Sequence, residues 1–240
     1  MKVVLLAGGL GVRLKPFTEV IPKPLLPIGE SSVLELQILS LKKHGFRDIF
    51  ITTYYMADYV RSFLGDGAKY GVNITYSLDG KPLGTCGPVL PLRDKLQEPF
   101  LLMNGDILTT LNFKKVYQFA TKIRANLVVV TKELVTPFDF GNIQSKGNYI
   151  TNIQEKPKFT WEILAGIYVL KPAIFGLIPK NKYFGIDSLI LKMLKNKMKV
   201  AKYKMHDYWL DIGRLEDYQV ARDDYKKHFS HLKNAKNYSF

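Results

Sequence analysis

A short apolar run that stops on a cluster of glycines constrains this chain more than any other feature. Residues 2–6 read Lys-Val-Val-Leu-Leu, and Ala7-Gly8-Gly9-Leu10-Gly11 follow at once. An aliphatic run without polar alternation makes a strand buried on both faces, as in a sheet covered by helices. Residues 47–53, 73–76 and 99–103 repeat the pattern. Between the first two runs, Ser32 and Glu35 form a capping box ahead of Leu34, Leu36, Ile38, Leu39 and Leu41, an apolar stripe that Gly45 ends. The spacing predicts a helix over 33–44. Strand, helix and strand in repeated order imply an α/β fold: a Rossmann-like, doubly wound, mostly parallel sheet with helices on both faces.

After Ala125 the spacing changes. Residues 126–132, 149–155 and 165–170 read as strands separated by Pro- and Gly-bearing loops. Residues 172–178 and 185–197 have helical periodicity, 200–205 reads as a strand, and 216–229 as a polar terminal helix. There is no internal repeat, low-complexity segment or linker, so 1–240 is expected to be one domain with halves at 1–125 and 126–240.

The chain carries 35 basic against 21 acidic residues, a formal charge of +14. That balance favours an anionic partner, either a phosphate-rich small molecule or a nucleic acid. Many of the lysines are diffuse: Lys192, Lys195, Lys197, Lys199, Lys202 and Lys204 recur through one stretch, and Lys226, Lys227, Lys233 and Lys236 crowd the tail. Such runs read as solvated surface, and no nucleic-acid partner is expected. No stretch reaches the roughly 18 apolar residues that cross a bilayer, and the opening run is too short for a signal peptide, so a cytoplasmic protein without a membrane partner is expected. Cys86 is the single cysteine, which excludes an internal disulfide or a cysteine-rich metal site.

The glycines at 8, 9 and 11 let backbone N–H groups approach phosphate oxygens without a Cβ in the way, and Arg13 follows. The spacing is neither GxxxxGK[ST] nor the dinucleotide fingerprint, since Leu14 stands where a third glycine belongs. Ten residues after Arg13, Pro22-Lys23-Pro24-Leu25 fixes the backbone around one lysine. Together these segments resemble the sugar-phosphate nucleotidyltransferases, whose pattern is a G-x-G-x-R-L loop followed by P-K-P-L. Leu83-Gly84-Thr85, Asn104-Gly105-Asp106, Glu155-Lys156-Pro157, Ala165-Gly166-Ile167-Tyr168 and Trp209-Leu210-Asp211-Ile212-Gly213 keep the family's order. The resemblance is greatest to mannose-1-phosphate guanylyltransferases and related small bacterial guanylyl- and uridylyltransferases. It implies a nucleotide-binding half (1–125), an inserted sugar-binding portion within 126–240, a C-terminal helix and no β-helix. The implied substrates are a nucleoside triphosphate and a sugar 1-phosphate, giving a nucleotide-sugar and pyrophosphate. A homo-oligomer is left open.

Such a reaction brings two polyanions together, so the site must suppress repulsion and stabilise the departing pyrophosphate. Arg13 suits bidentate binding of the β- and γ-phosphates, and Lys23 a point-charge contact near the reacting phosphate. Asp106 ends the apolar run 100–103, at the carboxyl end of a strand, where open α/β sheets bind ligands. With Asp211 it forms an oxygen donor set for Mg2+. Arg13, Lys23 and Asp106 are therefore the expected catalytic residues, and Asp106 and Asp211 the metal ligands. The resemblance places nucleotide against Leu6, Ala7, Gly8, Gly9, Gly11, Gly84 and Thr85, and sugar phosphate against Gly141, Glu155, Lys156 and Gly166. The run 82–88 is most like that of guanylyltransferases and points to GTP, with UTP, dTTP and CTP as alternatives. If the base covers this loop, GTP should protect Cys86 from a thiol reagent. Leu164 stands where many relatives have Asn, so one sugar hydrogen bond is missing, and mannose, glucose, a heptose and an amino sugar stay open. Val12 stands where the glycine loop often has Thr. A catalytically silent nucleotide sensor and a metal-dependent glycosyltransferase are the competing readings; the second lacks its D-x-D pair here.

Overall fold

The computed structural model describes residues 1–235, and Lys236 of the basic tail lies outside them. The first half contains β1 (Lys2–Leu6), α1 (Phe17–Val20), β2 (Pro27–Ile28), β3 (Ser31–Ser32), α2 (Val33–Lys43), β4 (Asp48–Thr53), α3 (Ala57–Leu64), β5 (Asn73–Leu78), β6 (Phe100–Asn104), β7 (Ile107–Thr109) and α4 (Phe113–Lys122). The second contains β8 (Leu127–Pro137), β9 (Asn142–Lys146), β10 (Tyr149–Gln154), β11 (Lys158–Leu170), α5 (Ile186–Lys195), β12 (Val200–Lys204), β13 (Trp209–Asp211) and α6 (Leu215–His228). Seven strands make the central sheet in the order β12-β8-β11-β6-β1-β4-β5. Only β11 runs against the others, antiparallel to both β6 and β8. The mostly parallel α/β sheet expected from the apolar runs is what the chain forms. Among the described residues there is no β-helix, and no helix is long and apolar enough to cross a membrane.

Alternation along the strands builds a core on each face. Val3, Leu5, Ile49, Ile51, Leu101 and Met103 point into one core with the apolar stripe of α2. Val4, Phe50, Phe100 and Leu102 point into the other, with the 3₁₀ turns at Gly87–Lys95 and Pro172–Leu177 and with α5. Fully burying one such side chain contributes about 1.5–3 kcal/mol, so both faces must be covered. The capping box of α2 is closed in both directions: Glu35 N–H donates to Ser32 Oγ at 3.2 Å, and Ser32 N–H to Glu35 Oε2 at 2.8 Å.

The differences from the sequence reading have local causes. In place of the helix expected over 172–178, Pro172–Leu177 form a 3₁₀ turn, with Pro172 at its start and Gly176 inside it. The strand expected over 165–170 begins at Lys158, because residues 158–164 pair with 131–137 of β8. Strand β9 went unread, since Asn142–Lys146 holds one large apolar residue, Ile143. The short β7 and β13 exist only through their pairing with each other.

Candidate active site

The glycine loop leaves β1 at the carboxyl end of the parallel strands. Gly11 has φ +62°, and a Cβ there would stand 2.7 Å from Thr18 Cγ2, so both conformation and space demand glycine. Buried Leu14 anchors the turn at Val12–Leu14. Among the described residues, the N–H groups of Gly8, Gly9, Leu10 and Gly11 donate to no protein acceptor. Successive free N–H groups form an anion-binding concavity. Exposed Arg13 sits beside them, its guanidinium next to Gly213.

Lys23 starts a one-turn 3₁₀ segment, between Pro22 and Pro24, whose Leu25 and the following Leu26 are buried. Its ammonium, 9% exposed as a residue, donates to Asp106 Oδ2 at 2.5 Å. The β6–β7 turn that carries Asp106 is pinned from two sides. Gly105 N–H donates to Leu6 O at 2.9 Å, and Gln37 Nε2 on α2 donates to Asn104 O and Ile107 O at 3.0 and 2.7 Å.

Strand β13 then brings the second carboxylate to the first. Asp211 pairs with Ile107, and Ile212 N–H donates to Asp106 O at 3.1 Å. Trp209 Nε1 donates to Ala165 O at 2.8 Å and ties β13 to β11. Burial, and then repulsion from Asp106, push Asp211 up to about 6 against the pull of Lys23 and Arg13. Asp106 Oδ1 and Asp211 Oδ1 are buried without a hydrogen-bond partner. Orphaned carboxylate oxygens of this kind fit a hard divalent cation. No cluster of three or more His, Cys, Asp or Glu able to hold a metal forms among the described residues, so phosphate oxygens and water would complete the shell.

Two cavities meet at Asp106, while Asp211 behind it lines neither. One, about 270 Å³, is lined by Leu6, Tyr54, Asp79, Gly84, Thr85 and Tyr183, among others. The second, more open and about 410 Å³, runs along Gly8–Arg13 to Gly213. Gly8, Gly9, Lys23 and Asp106 line both. Ala7 is buried, its N–H bonded to Thr52 O, and lines neither. Gly166, with φ +70°, packs against Asn104 and Ile107, where a Cβ would be 2.9 Å from Asn104 Nδ2. Gly141 and Glu155 lie together, but they and Lys156 sit on an exposed β-ribbon and line neither cavity.

Cys86 corrects an expectation. It is fully buried against the second core, where burial and then Asp187 push its thiol up to about 12. The loop faces the cavity with Gly84 and Thr85 instead. Three lining residues escaped the sequence reading. Asp79 follows β5 at the same carboxyl end that singled out Asp106, so the signal was there. Its half-buried carboxylate receives no hydrogen bond from a described residue, and burial pushes it up to about 6. Tyr54 follows β4 in the same way. Tyr183 had no local signal: Phe184 N–H bonds to Leu83 O, and Phe184 O accepts from Cys86 N–H, both at 2.9 Å.

A glycine loop, a buried lysine and a carboxylate pair at one strand end agree with the match of residues 2–228 to the profile of the nucleotidyl transferase family. The chain belongs to that family. A UTP–glucose-1-phosphate uridylyltransferase of Synechocystis is 29% identical over 92% of this chain and 62% of its own length. A mannose-1-phosphate guanyltransferase of Yarrowia lipolytica is 32% identical over 91% of this chain and 62% of its own length. The chain thus spans about 62% of these curated relatives. The crystal structure of a provisionally named glucose-1-phosphate thymidylyltransferase of Bacillus anthracis superposes with a TM-score of 0.75 and 26% identity, over 100% of this chain and 97% of that one. These three similar proteins are named for three different bases, so base choice must be argued from the cavity.

Proposed function

We propose that this protein is a Mg2+-dependent sugar-1-phosphate guanylyltransferase. An oxygen of the sugar phosphate attacks the α-phosphorus of GTP, the bond from that phosphorus to the oxygen bridging to the β-phosphate breaks, and pyrophosphate leaves. The free N–H groups of Gly8 to Gly11 and the Arg13 guanidinium bind the β- and γ-phosphates, where negative charge grows as the bond breaks. Lys23, held by Asp106, donates towards the reacting phosphate and reduces repulsion from the incoming anion. Asp106 and Asp211 hold Mg2+, which supplies charge neutralisation for the phosphate oxygens when bound. The exposed Gly141, Glu155 and Lys156 supply sugar contacts.

The observation that carries the choice of base is Asp79. An unpartnered carboxylate accepts two hydrogen bonds, and guanine offers two adjacent donors at N1 and N2. Uracil and thymine offer one donor flanked by carbonyl oxygens, one of which would face the carboxylate. The N–H groups of Gly84 and Thr85, which also lack a protein acceptor, are left for guanine O6. The test is a matrix of GTP, UTP, dTTP, CTP and ATP against sugar 1-phosphates, with pyrophosphate release as the readout. GTP should exceed UTP in kcat/KM by about 10–150-fold, since leaving a charged acceptor unpaired costs roughly 1.5–3 kcal/mol. Equal use of UTP by the native chain would refute the assignment to Asp79, and tight binding without turnover of any pair would favour a nucleotide sensor.

A further inference from the structure

The lysines that recur from 171 to 204 are dispersed in sequence and partly gathered in space. This stretch holds nine lysines and one acidic residue, Asp187. Strand β12 runs parallel to β8, and β11 runs antiparallel to β8 and β6. The residues just before β8, just before β12 and just after β11 therefore share one edge of the sheet, the amino end of its parallel strands. Hydrogen bonds join the three segments there: Asn126 N–H donates to Lys199 O, and Lys171 N–H to Asn126 O, both at 2.9 Å. Lys122, Arg124, Lys195, Lys197 and Lys199 stand exposed around this junction, and among the described residues none of them enters an ion pair. Glu98, the next acidic residue along the edge, precedes β6, two strands beyond β8.

Helix α5 adds two features to the cluster. Its inner face, Ile186, Leu189 and Met193, is buried in the second core, while Leu191 and Leu194 on its outer face are 67% and 55% exposed. Lys195 lies one turn on from Leu191, so the leucines and the lysine are neighbours. The helix then closes in a Schellman turn, in which Lys197 N–H donates to Leu194 O at 3.0 Å and Met198 N–H to Met193 O at 2.9 Å. Lys197 takes the left-handed position of that turn, with φ +55°. Glycine fills such a position without strain, whereas a side chain with a Cβ is strained there. A strained lysine kept within a basic cluster points to a use for its side chain.

We infer that this corner, built from the end of α5 and the segments before β8 and β12, docks on an anionic lipid surface. Clusters of about 4–8 lysines or arginines on an amphipathic helix suit the headgroup charge of such a surface. The leucines decide between one polyanion and another. Against the phosphates of a nucleic acid, Leu191 and Leu194 would gain nothing. At the boundary between headgroups and acyl chains they leave water, while the lysine ammoniums stay among the headgroups. An unpaired base would need a ring to stack on, and exposed Tyr183 lies at the opposite end of α5, lining the smaller cavity.

The placement leaves catalysis free. The glycine loop and Asp106 lie at the carboxyl end of the parallel strands, so a chain docked by the amino end presents both cavities to water. The inference is therefore independent of the choice of base and sugar.

Flotation of the full chain with vesicles of phosphatidylcholine, with or without phosphatidylglycerol, tests it at about 0.1 M salt. The native chain should float with the anionic vesicles and not with phosphatidylcholine alone. Lys197→Gly should lower partition about fivefold, and Lys195→Ser, Lys197→Gly and Lys199→Ser together about 100-fold. The thermal transition of Lys197→Gly should hold or rise, because glycine suits the left-handed position, so its loss of binding cannot come from unfolding. Leu191→Ser with Leu194→Ser should remove the part of the binding that resists added salt. Pyrophosphate release in solution should be unchanged in all these variants. Lys226→Ala with Lys227→Ala, on α6, should leave partition intact. A native chain that ignores anionic vesicles overturns the proposal, whether or not RNA retains it. So does binding that the triple lysine variant or the leucine variant keeps in full, or that only the α6 pair abolishes.

Discussion

Replacing Lys23 by Met tests the centre of the site, because it keeps the buried stem and removes only the charge that faces Asp106. The ammonium lies 2.5 Å from Asp106 Oδ2, with side-chain exposures of 10% and 25%. Two unit charges at that distance attract by about 6–7 kcal/mol at an effective dielectric of 20, and desolvation of the ammonium offsets much of this. Removing one partner of a buried pair costs about 3–5 kcal/mol. Asp106 keeps some solvent and Arg13 lines the adjoining cavity, so we expect about 2–3 kcal/mol in metal-free protein. At roughly 2–4 °C per kcal/mol for a chain of this size, the thermal transition should fall by about 5–10 °C. Mg2+ should raise the transition of the variant more than that of the native protein, because it restores positive charge beside Asp106 and Asp211. Turnover should stay at least about 100-fold down even with saturating Mg2+, with a smaller loss in GTP affinity, because Lys23 acts most strongly on the crowded transition state. Calorimetry with and without Mg2+, paired with single-turnover pyrophosphate release, provides both readings. An unchanged transition would refute the structural half of the reasoning, and Mg2+ restoring normal turnover would refute the catalytic half.

Asp106→Asn and Asp211→Asn should each lower turnover by about two orders of magnitude or more in a folded protein, and the double variant should be little worse than the worse single one; losses that multiply would assign the two residues separate roles. Asp79→Asn should reduce kcat/KM for GTP about 10–100-fold while changing UTP use less than threefold, and an equal loss for both bases would remove Asp79 from base selection. Since burial raises Asp79 to about 6 and guanine needs its charged form, GTP affinity measured calorimetrically without metal should fall as pH drops through about 6. The part of the slope that Asp79 supplies approaches tenfold per pH unit, and Asp211, also raised to about 6, titrates in both proteins, so the readout is the difference between the native and Asp79→Asn curves; equal slopes would contradict the carboxylate's role. Cys86, buried and with its thiol raised, should label slowly with a thiol reagent whether or not GTP is present, and nucleotide-dependent protection in a timed labelling assay would show that the loop opens in the free protein.

Much of this architecture was legible because it is written in local terms. Apolar runs report buried strands, Ser32 and Glu35 report a helix start, and Pro22 and Pro24 report a stiff backbone around Lys23 through their fixed φ. The long ribbon was less legible. Residues 158–164 mix Phe, Trp and Ile with Lys, Glu and Thr, and become a strand by pairing with β8. Asp79 had a readable address at a strand end, but its lack of a partner could not be read from neighbouring residues.

The sequence alone therefore determined the apolar strands of the central sheet and the start of α2, where the chain must turn at glycine, and that Arg13, Lys23, Asp106 and Asp211 carry charge worth holding. Tertiary structure decided which of them meet. Asp106 and Asp211 are far apart in the chain, and only the β7–β13 pairing places them side by side with two oxygens orphaned. Tyr183 lines the smaller cavity through Phe184, Cys86 turns inward, and the ribbon leaves one apolar face uncovered for the same reason. Backbone propensity and apolar periodicity act over a few residues and survive in linear spacing. Partnership, burial and the pKa shifts that follow from them depend on distances through space, which exist only once the sheet is assembled.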